Sequence, residues 1–201
     1  MAREHVHIPI MTMIRPRAGG FCYSDTELAV ARSDAEALLR HGADGLVFGF
    51  LHADGTVCAE QTRRFVDLAE GKPCVFHRAP DVVPDWKKAL EQLIEAGITR
   101  VLTSGQQGNV FFALETIREM IAFAGNAIEI LPGAGITLEN IDRFVKETGC
   151  TQIHLAHHRI LTDPSAANNR GIHYRGCLYP SEEQAEITDR EYVAAVRKRP
   201  G

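Results

Sequence analysis

One motif recurs along the chain and constrains its fold more than any other feature. GADGLVF begins at Gly42, GITRVLT at Gly97 and GCTQIHL at Gly149. In each copy, a glycine typical of a helix end precedes a short apolar run typical of a buried strand. The copies begin 55 and 52 residues apart, which leaves room for two strand–helix units in each interval. A repeated strand–helix unit predicts a parallel α/β fold, either a barrel or an open doubly wound sheet.

Six apolar runs are predicted to be buried strands, because near-continuous apolar character suits a parallel sheet covered on both faces. They are residues 8–14, 45–51, 73–77, 100–104, 127–131 and 151–156. Helices are predicted after Ser24, over 59–70, after Pro84, over 114–121 and after Thr137. Polar and glycine-rich residues gather where nearly all the strands end. This pattern favours an incomplete TIM-type (β/α) barrel with about six of its eight parallel strands.

The end of the chain has a different pattern. Residues 157–201 show little strand character, although about Asp189 to Lys198 suits a closing helix. No linker or low-complexity tract marks a second domain. We therefore expect one barrel-type domain over residues 1–201, with 157–201 as an irregular C-terminal extension that ends in a helix.

Composition argues against several functional classes. The 201 residues are 45% hydrophobic and 24% charged, with a formal net charge of −4, which disfavours a nucleic-acid or membrane-surface partner. No apolar run approaches the roughly 20 residues of a membrane span, and the N-terminus lacks the order of a signal peptide. Five scattered cysteines without a C-x-x-C pair fit reduced thiols. The sequence thus predicts a cytoplasmic protein.

Two arginines follow the first predicted strand directly. Arg15 and Arg17 flank Pro16, which fixes the backbone between them. Two permanent cations at a strand end favour a planar anion such as a carboxylate or phosphate. The alternative is that both pair with neighbouring acids in a structural network.

Two histidines are candidate catalytic residues. His77 ends its predicted strand on the face opposite Phe76, and Arg78, a candidate anion ligand, follows it. His77 suits a general acid/base or a metal ligand, and the alternative is a hydrogen-bonded core histidine. His154 lies on the inward-facing side of the last predicted strand. Both are therefore expected to face the barrel interior.

Two glycine-rich strand ends are candidate phosphate-binding loops. LTSG supplies Thr103, Ser104 and Gly105, and LPGAG supplies Gly133 and Gly135. Backbone N–H groups and small hydroxyls at a helix N-terminus suit an anion, although glycine also serves simple turns.

Three further residues are candidates for a catalytic or metal-binding role. Glu129 is a candidate catalytic carboxylate on a buried strand, but a salt bridge or a place at the bottom of the barrel is favoured. Asp81 is a further carboxylate near a strand end. Cys22 lies near the arginines and suits Cu(I), whereas a lone cysteine is more often a small core residue. No set of metal ligands is predicted.

Taken in order, these motifs resemble a known family. MIRPRAGGFCYS, GADGLVFGFL, FHRAPD, RVLTSG, ILPGAG and a histidine-bearing strand resemble the CutC family of copper homeostasis proteins, over roughly residues 6–156. The resemblance implies a self-associating cytoplasmic TIM-type barrel, copper handling with copper as the bound ion, and a pocket at the strand ends. The residues implied for that pocket are Arg15, Arg17, His77, Arg78, 103–105, 132–135 and His154.

The sequence also departs from the family pattern. Family members carry about two further strand–helix units upstream, which hold the cysteines usually discussed for copper. Pro80 stands where an aromatic residue is usual, Ala18 and Ala134 stand at usual glycines, and Gly20 stands at a usual aspartate. We expect these differences to alter the pocket.

The residues leave more than one function open. The first is copper ion binding by a CutC-like protein. The second is a TIM-barrel enzyme acting on a small anionic or phosphorylated metabolite. In that case Arg15 and Arg17 clamp the anion, the two glycine-rich loops cradle phosphate, and His77 shuttles protons. The third is a shortened chain without activity of its own.

Overall fold

The computed structural model describes residues 2–169, 171–173 and 181–198. The chain divides into two compact units, residues 1–154 and residues 155–201. Cys177, one of the predicted reduced thiols, lies outside the described residues.

The first unit is built on a five-stranded parallel sheet. Its strands are β1 (Met11–Met13), β2 (Gly45–Phe48), β3 (Cys74–Phe76), β4 (Arg100–Thr103) and β5 (Glu129–Pro132). Their order in the sheet is the order in the chain, and every neighbouring pair is parallel. A doubly wound sheet reverses its strand order at a switch point, whereas a barrel does not. The structure therefore confirms an α/β TIM-type fold, although the described strands do not close into a ring.

The sixth predicted strand is absent from the sheet. Within residues 151–156 the described backbone forms only one parallel bridge, between Gly133 and His154. The N–H of His154 donates to the carbonyl of Pro132 over 2.7 Å. This single bridge keeps His154 beside the end of β5.

Helices alternate with the strands as the sequence predicts. They are α1 (Ala2–His5), α2 (Asp25–Arg40), α3 (Ala59–Leu68), α4 (Trp86–Ala96), α5 (Leu114–Ala124) and α6 (Ile141–Thr148). A capping box of Ser24 and Glu27 begins α2, and Gly97 ends α4 in the left-handed conformation. The cap position of α6 is occupied by Asn140 rather than by the predicted Thr137, and the Asn140 side-chain oxygen accepts the N–H of Thr137 over 2.8 Å. That helix therefore begins later than predicted.

An aromatic cluster joins the sheet to α3. Phe48, Phe50 and Phe76 pack around Phe65 of that helix or against one another, with ring centroids 4.6 to 6.4 Å apart. Successive side chains point to opposite faces of a strand. Because Phe76 lies on the face covered by the helix, His77 lies on the other face. The cluster thus fixes the direction of the candidate site residue that follows β3.

The second unit contains an antiparallel strand pair and a helix. Strands β6 (His158–Thr162) and β7 (Gln184–Thr188) pair, and α7 (Arg190–Arg197) follows. Asp189 caps α7 by accepting the N–H of Tyr192 over 3.0 Å. The final helix was predicted, but the strand pair was not, because β6 is exposed at all five positions and lacks the apolar pattern of a buried strand.

Among the described residues, every helix is too short or too polar to cross a lipid bilayer.

Candidate functional site

The candidate site lies where β1 and β3 end. Arg15 follows β1 at one remove, and His77 follows β3 directly. Gly49 lies between them, one residue beyond the register pair of Phe48 and Phe76. A Cβ atom on Gly49 would stand 2.4 Å from Cε1 of His77, so the glycine makes the space that the imidazole ring occupies.

His77 is a buried, neutral imidazole with one unpaired nitrogen. The residue is 3% exposed, and its Nδ1 accepts the N–H of Ala79 over 3.2 Å. Burial, with a contribution from the Arg15 charge, lowers the pKa of His77 to about 4. The ring proton is therefore on Nε2, which is shielded from water and has no hydrogen-bond partner among the described residues.

Arg15 lies in the same cluster of side chains. Its Nη2 donates to the carbonyl of Gly19 over 2.9 Å, and its Nε donates to the carbonyl of Arg17 over 3.3 Å. Its guanidinium carbon lies 5.1 Å from the Phe21 ring centroid, and that ring lies 4.8 Å from the His77 ring. No carboxylate pairs with Arg15 in the described part of the chain. Its charge is therefore left without an opposite charge.

Tyr23 adds a second unpaired polar atom. Its ring packs edge-on against Phe50, at 6.0 Å between centroids. Its hydroxyl is shielded from water and lies near the Arg15 side chain, whose hydrogen bonding opposes the rise in pKa, but no described group accepts the hydroxyl proton. Burial raises the pKa of Tyr23, against the lowering effect of the charges of Arg15 and Arg17. The hydroxyl therefore keeps its proton at neutral pH.

Arg17 has a structural role, which is the alternative that the sequence left open. Its Nε pairs with Glu27 over 2.5 Å. Its Nη groups donate to the carbonyls of Ala18, Gly20 and Cys22, over 3.3, 3.0 and 2.7 Å. Arg17 thus holds the loop that carries Phe21 and ties it to the start of α2.

Asp81 occupies the first predicted phosphate loop. Its carboxylate accepts the hydroxyl of Thr103 over 2.6 Å, the N–H of Ser104 over 2.9 Å and the hydroxyl of Ser104 over 2.8 Å. It also accepts the N–H of Gln106 over 3.4 Å, while the N–H of Gly105 donates to the Thr103 hydroxyl over 2.9 Å. These donors already have an internal acceptor, so their use by an external anion stays a prediction.

Arg78 completes that arrangement and faces His154. Its Nε donates to Asp81 over 2.7 Å, and its Nη2 donates to the Ser104 hydroxyl over 2.7 Å. Partial enclosure of the ring, and then the charge of Arg78, lower the pKa of His154. His154 is thus near Arg78, but it is exposed and lies at the far edge of the sheet from Arg15.

The second predicted phosphate loop serves close packing. The N–H of Gly133 donates to the carbonyl of Thr103 over 2.9 Å, and a Cβ there would lie 3.0 Å from Cβ of His154. Gly135 has a φ of +89°, and a Cβ there would lie within 2.1 Å of the side chain of Asn109. Both glycines therefore allow neighbouring groups to approach the backbone.

Glu129 lies at the opposite end of the sheet from His77. It is the first residue of β5 and pairs with Arg100, the first residue of β4. A hydrogen bond with Gln152 and the pairing with Arg100 lower its pKa. The structure thus places Glu129 in the salt bridge that the sequence favoured, and outside the site. Asp44, paired with Arg3, lies at the same end.

Two cavities lie elsewhere on the first unit. One of about 660 Å³ lies between α2 and α3 over Phe65, and one of about 370 Å³ lies beside Glu129 and Cys150. Neither is lined by Arg15 or His77. The unpaired atoms of His77 and Tyr23 are shielded from water, whereas Arg15 itself is exposed.

The described residues do not form a ready-made metal centre. No three histidine, cysteine or acidic residues among them stand close enough to hold a metal ion. Burial raises the pKa of Cys74 to about 11 and also raises that of Cys150, which disfavours the thiolate form that metals bind. Cys22, for which the sequence favoured a small core residue over a Cu(I) ligand, is free and exposed. This donor set does not fit a preformed copper site.

Sequence reasoning missed the contributions of Tyr23, Gly49 and Asp81. Asp81 was noted as a carboxylate, but not as the acceptor for the LTSG loop. A signal for Gly49 was present, because a glycine inside an apolar strand indicates a close approach by another group. Tyr23 carried no such signal, because its role depends on the absence of a partner in three dimensions.

The fold and the site together define the class of protein to which this chain belongs. The molecule is a TIM-type α/β protein whose polar residues of interest collect at the C-terminal ends of parallel strands. The model of the CutC family matches residues 1–159, so the chain belongs to the CutC family.

Individual relatives support this membership. A CutC family protein from Treponema denticola is 44% identical over 198 residues, which cover 98% of this chain and 80% of that protein. A copper homeostasis protein cutC homolog from Mus musculus is 37% identical over 189 residues, which cover 94% and 70%. The crystal structure of CutC from Streptococcus agalactiae aligns with a TM-score of 0.70 at 36% identity, and covers 73% of this chain and 72% of that one.

Proposed function

We propose that this CutC family chain binds a small anion at the C-terminal ends of β1 and β3, with Arg15 and His77 as its ligands. The observation that carries the proposal is a shortage of acceptors. Arg15 has no acidic partner among the described residues, and the Nε2–H of His77 has no acceptor there. Buried donors in native proteins are almost always paired with protein, water or a ligand, so these two groups are positioned to bind an acceptor from outside the chain.

The chemistry of such a site follows from the state of His77. With a pKa of about 4 and its proton on Nε2, His77 is a hydrogen-bond donor at neutral pH rather than a base. A neutral imidazole of this kind polarises a carbonyl or stabilises an oxyanion. This supports the anionic-metabolite hypothesis, with polarisation in place of the proton shuttle first expected for His77.

Replacing Arg15 by methionine tests the proposal. We expect acetate, phosphate or sulfate to raise the melting temperature of the wild type above a sodium chloride control of equal ionic strength, because a ligand that binds only the folded state stabilises it. Arg15→Met is expected to raise the dissociation constant at least about tenfold, since a hydrogen bond to a charged group contributes roughly 1.5–3 kcal/mol. Thermal unfolding at several anion concentrations measures both.

Arg32→Met is the matched control, because Arg32 is an exposed helix arginine paired with Glu36. It should retain the full response to anions. If no anion stabilises the wild type, or if Arg15→Met responds as the wild type does, the proposal is wrong.

Copper binding is a second candidate, supported by the names of the relatives rather than by the geometry. If this candidate holds, anaerobic titration with Cu(I) against a competing chelator shows one ion bound per chain, weakened at least about tenfold by Cys22→Ser, because soft thiolates select Cu(I). Cys58→Ser, at another free cysteine, is the control. Absence of binding, or equal affinity in both variants, would exclude Cys22 as the ligand.

A reducing cytoplasmic location is part of this proposal. Cys22, Cys58, Cys74 and Cys150 are all free thiols. Disulfides are rare in cytosolic proteins, and free cysteines are usual there.

A further inference from the structure

The site proposed above has more donors than its two ligands account for. The Tyr23 hydroxyl proton and the Nε2–H of His77 are shielded from water and have no acceptor among the described residues, while Arg15 acts electrostatically on both side chains. Phe21 links the group, since its ring lies against His77 and under the Arg15 guanidinium. Arg15 and Phe21 thus connect two donors, the Tyr23 hydroxyl and the His77 Nε2–H, that have no acceptor among the described residues, while Arg15 donates to backbone carbonyls and, in the described part of the chain, to no carboxylate.

The charge at this place is limited to one. Arg17 is paired with Glu27, and Arg78 is paired with Asp81. His77 is neutral at pH 7 because of its lowered pKa. The net charge of the site is thus that of Arg15 alone. A ligand with two negative charges would bring one uncompensated charge next to the shielded donors of Tyr23 and His77, which is costly.

Aromatic rings shield the two donors that lack an acceptor, although Arg15 beside them is exposed. Phe21 covers His77, and Phe50 packs against Tyr23. The backbone of Phe21 is fixed, because its carbonyl accepts the N–H of Leu51 over 2.9 Å. A ligand therefore reaches the shielded atoms when the Phe21 side chain turns aside, and its own apolar part replaces that ring.

We propose that Tyr23 is a third anion-binding residue of this site, and that the site selects a carboxylate monoanion over a dianion such as sulfate. The inference rests on the proposed function and deepens it. A carboxylate has two oxygens and about four lone-pair positions, enough to accept from the Tyr23 hydroxyl, the His77 Nε2–H and the Arg15 guanidinium together.

The test compares acetate with sulfate at pH 7 and equal ionic strength, with sodium chloride as the reference. We expect acetate to bind the wild type at least about tenfold more tightly than sulfate, measured by thermal unfolding and by titration calorimetry. Tyr23→Phe, which removes only the hydroxyl, is expected to weaken acetate binding about tenfold. Tyr192→Phe, in the second unit, should leave it unchanged.

NMR of the wild-type protein gives an independent measurement, which does not require any variant to fold. The ¹⁵N signal of His77 Nε2 is expected to move on addition of acetate and to stay in place with sulfate. Equal or tighter binding of sulfate, an unchanged affinity in Tyr23→Phe, or a His77 signal indifferent to acetate would each overturn the inference.

The failure of this inference is distinguishable from failure of the proposed function. If neither anion binds the wild type, both fall together. If anions bind and Arg15→Met abolishes binding, but sulfate is preferred or Tyr23→Phe has no effect, only the carboxylate selectivity and the role of Tyr23 are wrong.

Discussion

Replacing Asp81 by alanine is expected to lower the free energy of unfolding by about 3 kcal/mol or more, because the change leaves several buried donors without an acceptor. The Asp81 side chain is 8% exposed. It accepts from Thr103 and Ser104, both 0% exposed, and from Arg78. Urea unfolding followed by circular dichroism measures the change.

Two variants make the Asp81 test specific. Asp67→Ala removes an exposed carboxylate from α3 and is expected to change stability by less than about 0.5 kcal/mol. Asp81→Asn keeps one acceptor oxygen but adds a donor, so its effect should lie between those of the two alanine variants. If Asp81→Ala is as stable as Asp67→Ala, the carboxylate does not hold the two loops together.

Acidification is expected to destabilise the protein through His77. Its pKa falls from 6.5 to about 4 on folding, so the unfolded chain binds a proton at pH values where the folded chain does not. Stability is therefore complete above about pH 6.5, and is lost as the pH falls towards 4. Between pH 7 and pH 5 the loss amounts to about 2 kcal/mol.

The variant His77→Gln identifies the source of this pH dependence. Glutamine does not titrate, so the variant should be less stable at pH 7 but should lose about 2 kcal/mol less between pH 7 and pH 5. Denaturant unfolding at several pH values, with both proteins in the same buffers, gives the two slopes. Parallel curves for the wild type and the variant would contradict the assignment to His77.

The fold was largely predictable because the repeated unit carries local signals. Gly97 ends its helix in the left-handed conformation, and Ser24 forms the capping box expected with Glu27. Both depend on residues within one helical turn. The prediction of a sixth strand was wrong. The apolar character of residues 151–156 does not show how many backbone hydrogen bonds the neighbouring strand will form with them.

The site was less predictable, because its character depends on contacts between distant loops. The LTSG residues have the right chemistry for phosphate, but Asp81, 22 residues before Thr103, supplies the anion from within the chain. Arg15 and Arg17 look equivalent in sequence, whereas Glu27 pairs with Arg17 alone. Which arginine pairs with Glu27 depends on where α2 begins relative to the loop. No local sequence pattern predicts that arrangement.

The sequential strand order has a consequence for how the chain acquires its fold. Register partners in neighbouring strands lie between 25 and 34 residues apart. Parallel sheets usually form slowly, because segments far apart in the chain must come together, at a cost in chain entropy, before their contacts stabilise the sheet. Here each strand finds its partner in the segment synthesised just before it. The sheet is thus suited to growing strand by strand as the chain leaves the ribosome, with the edge of the newest strand available to pair with the next one.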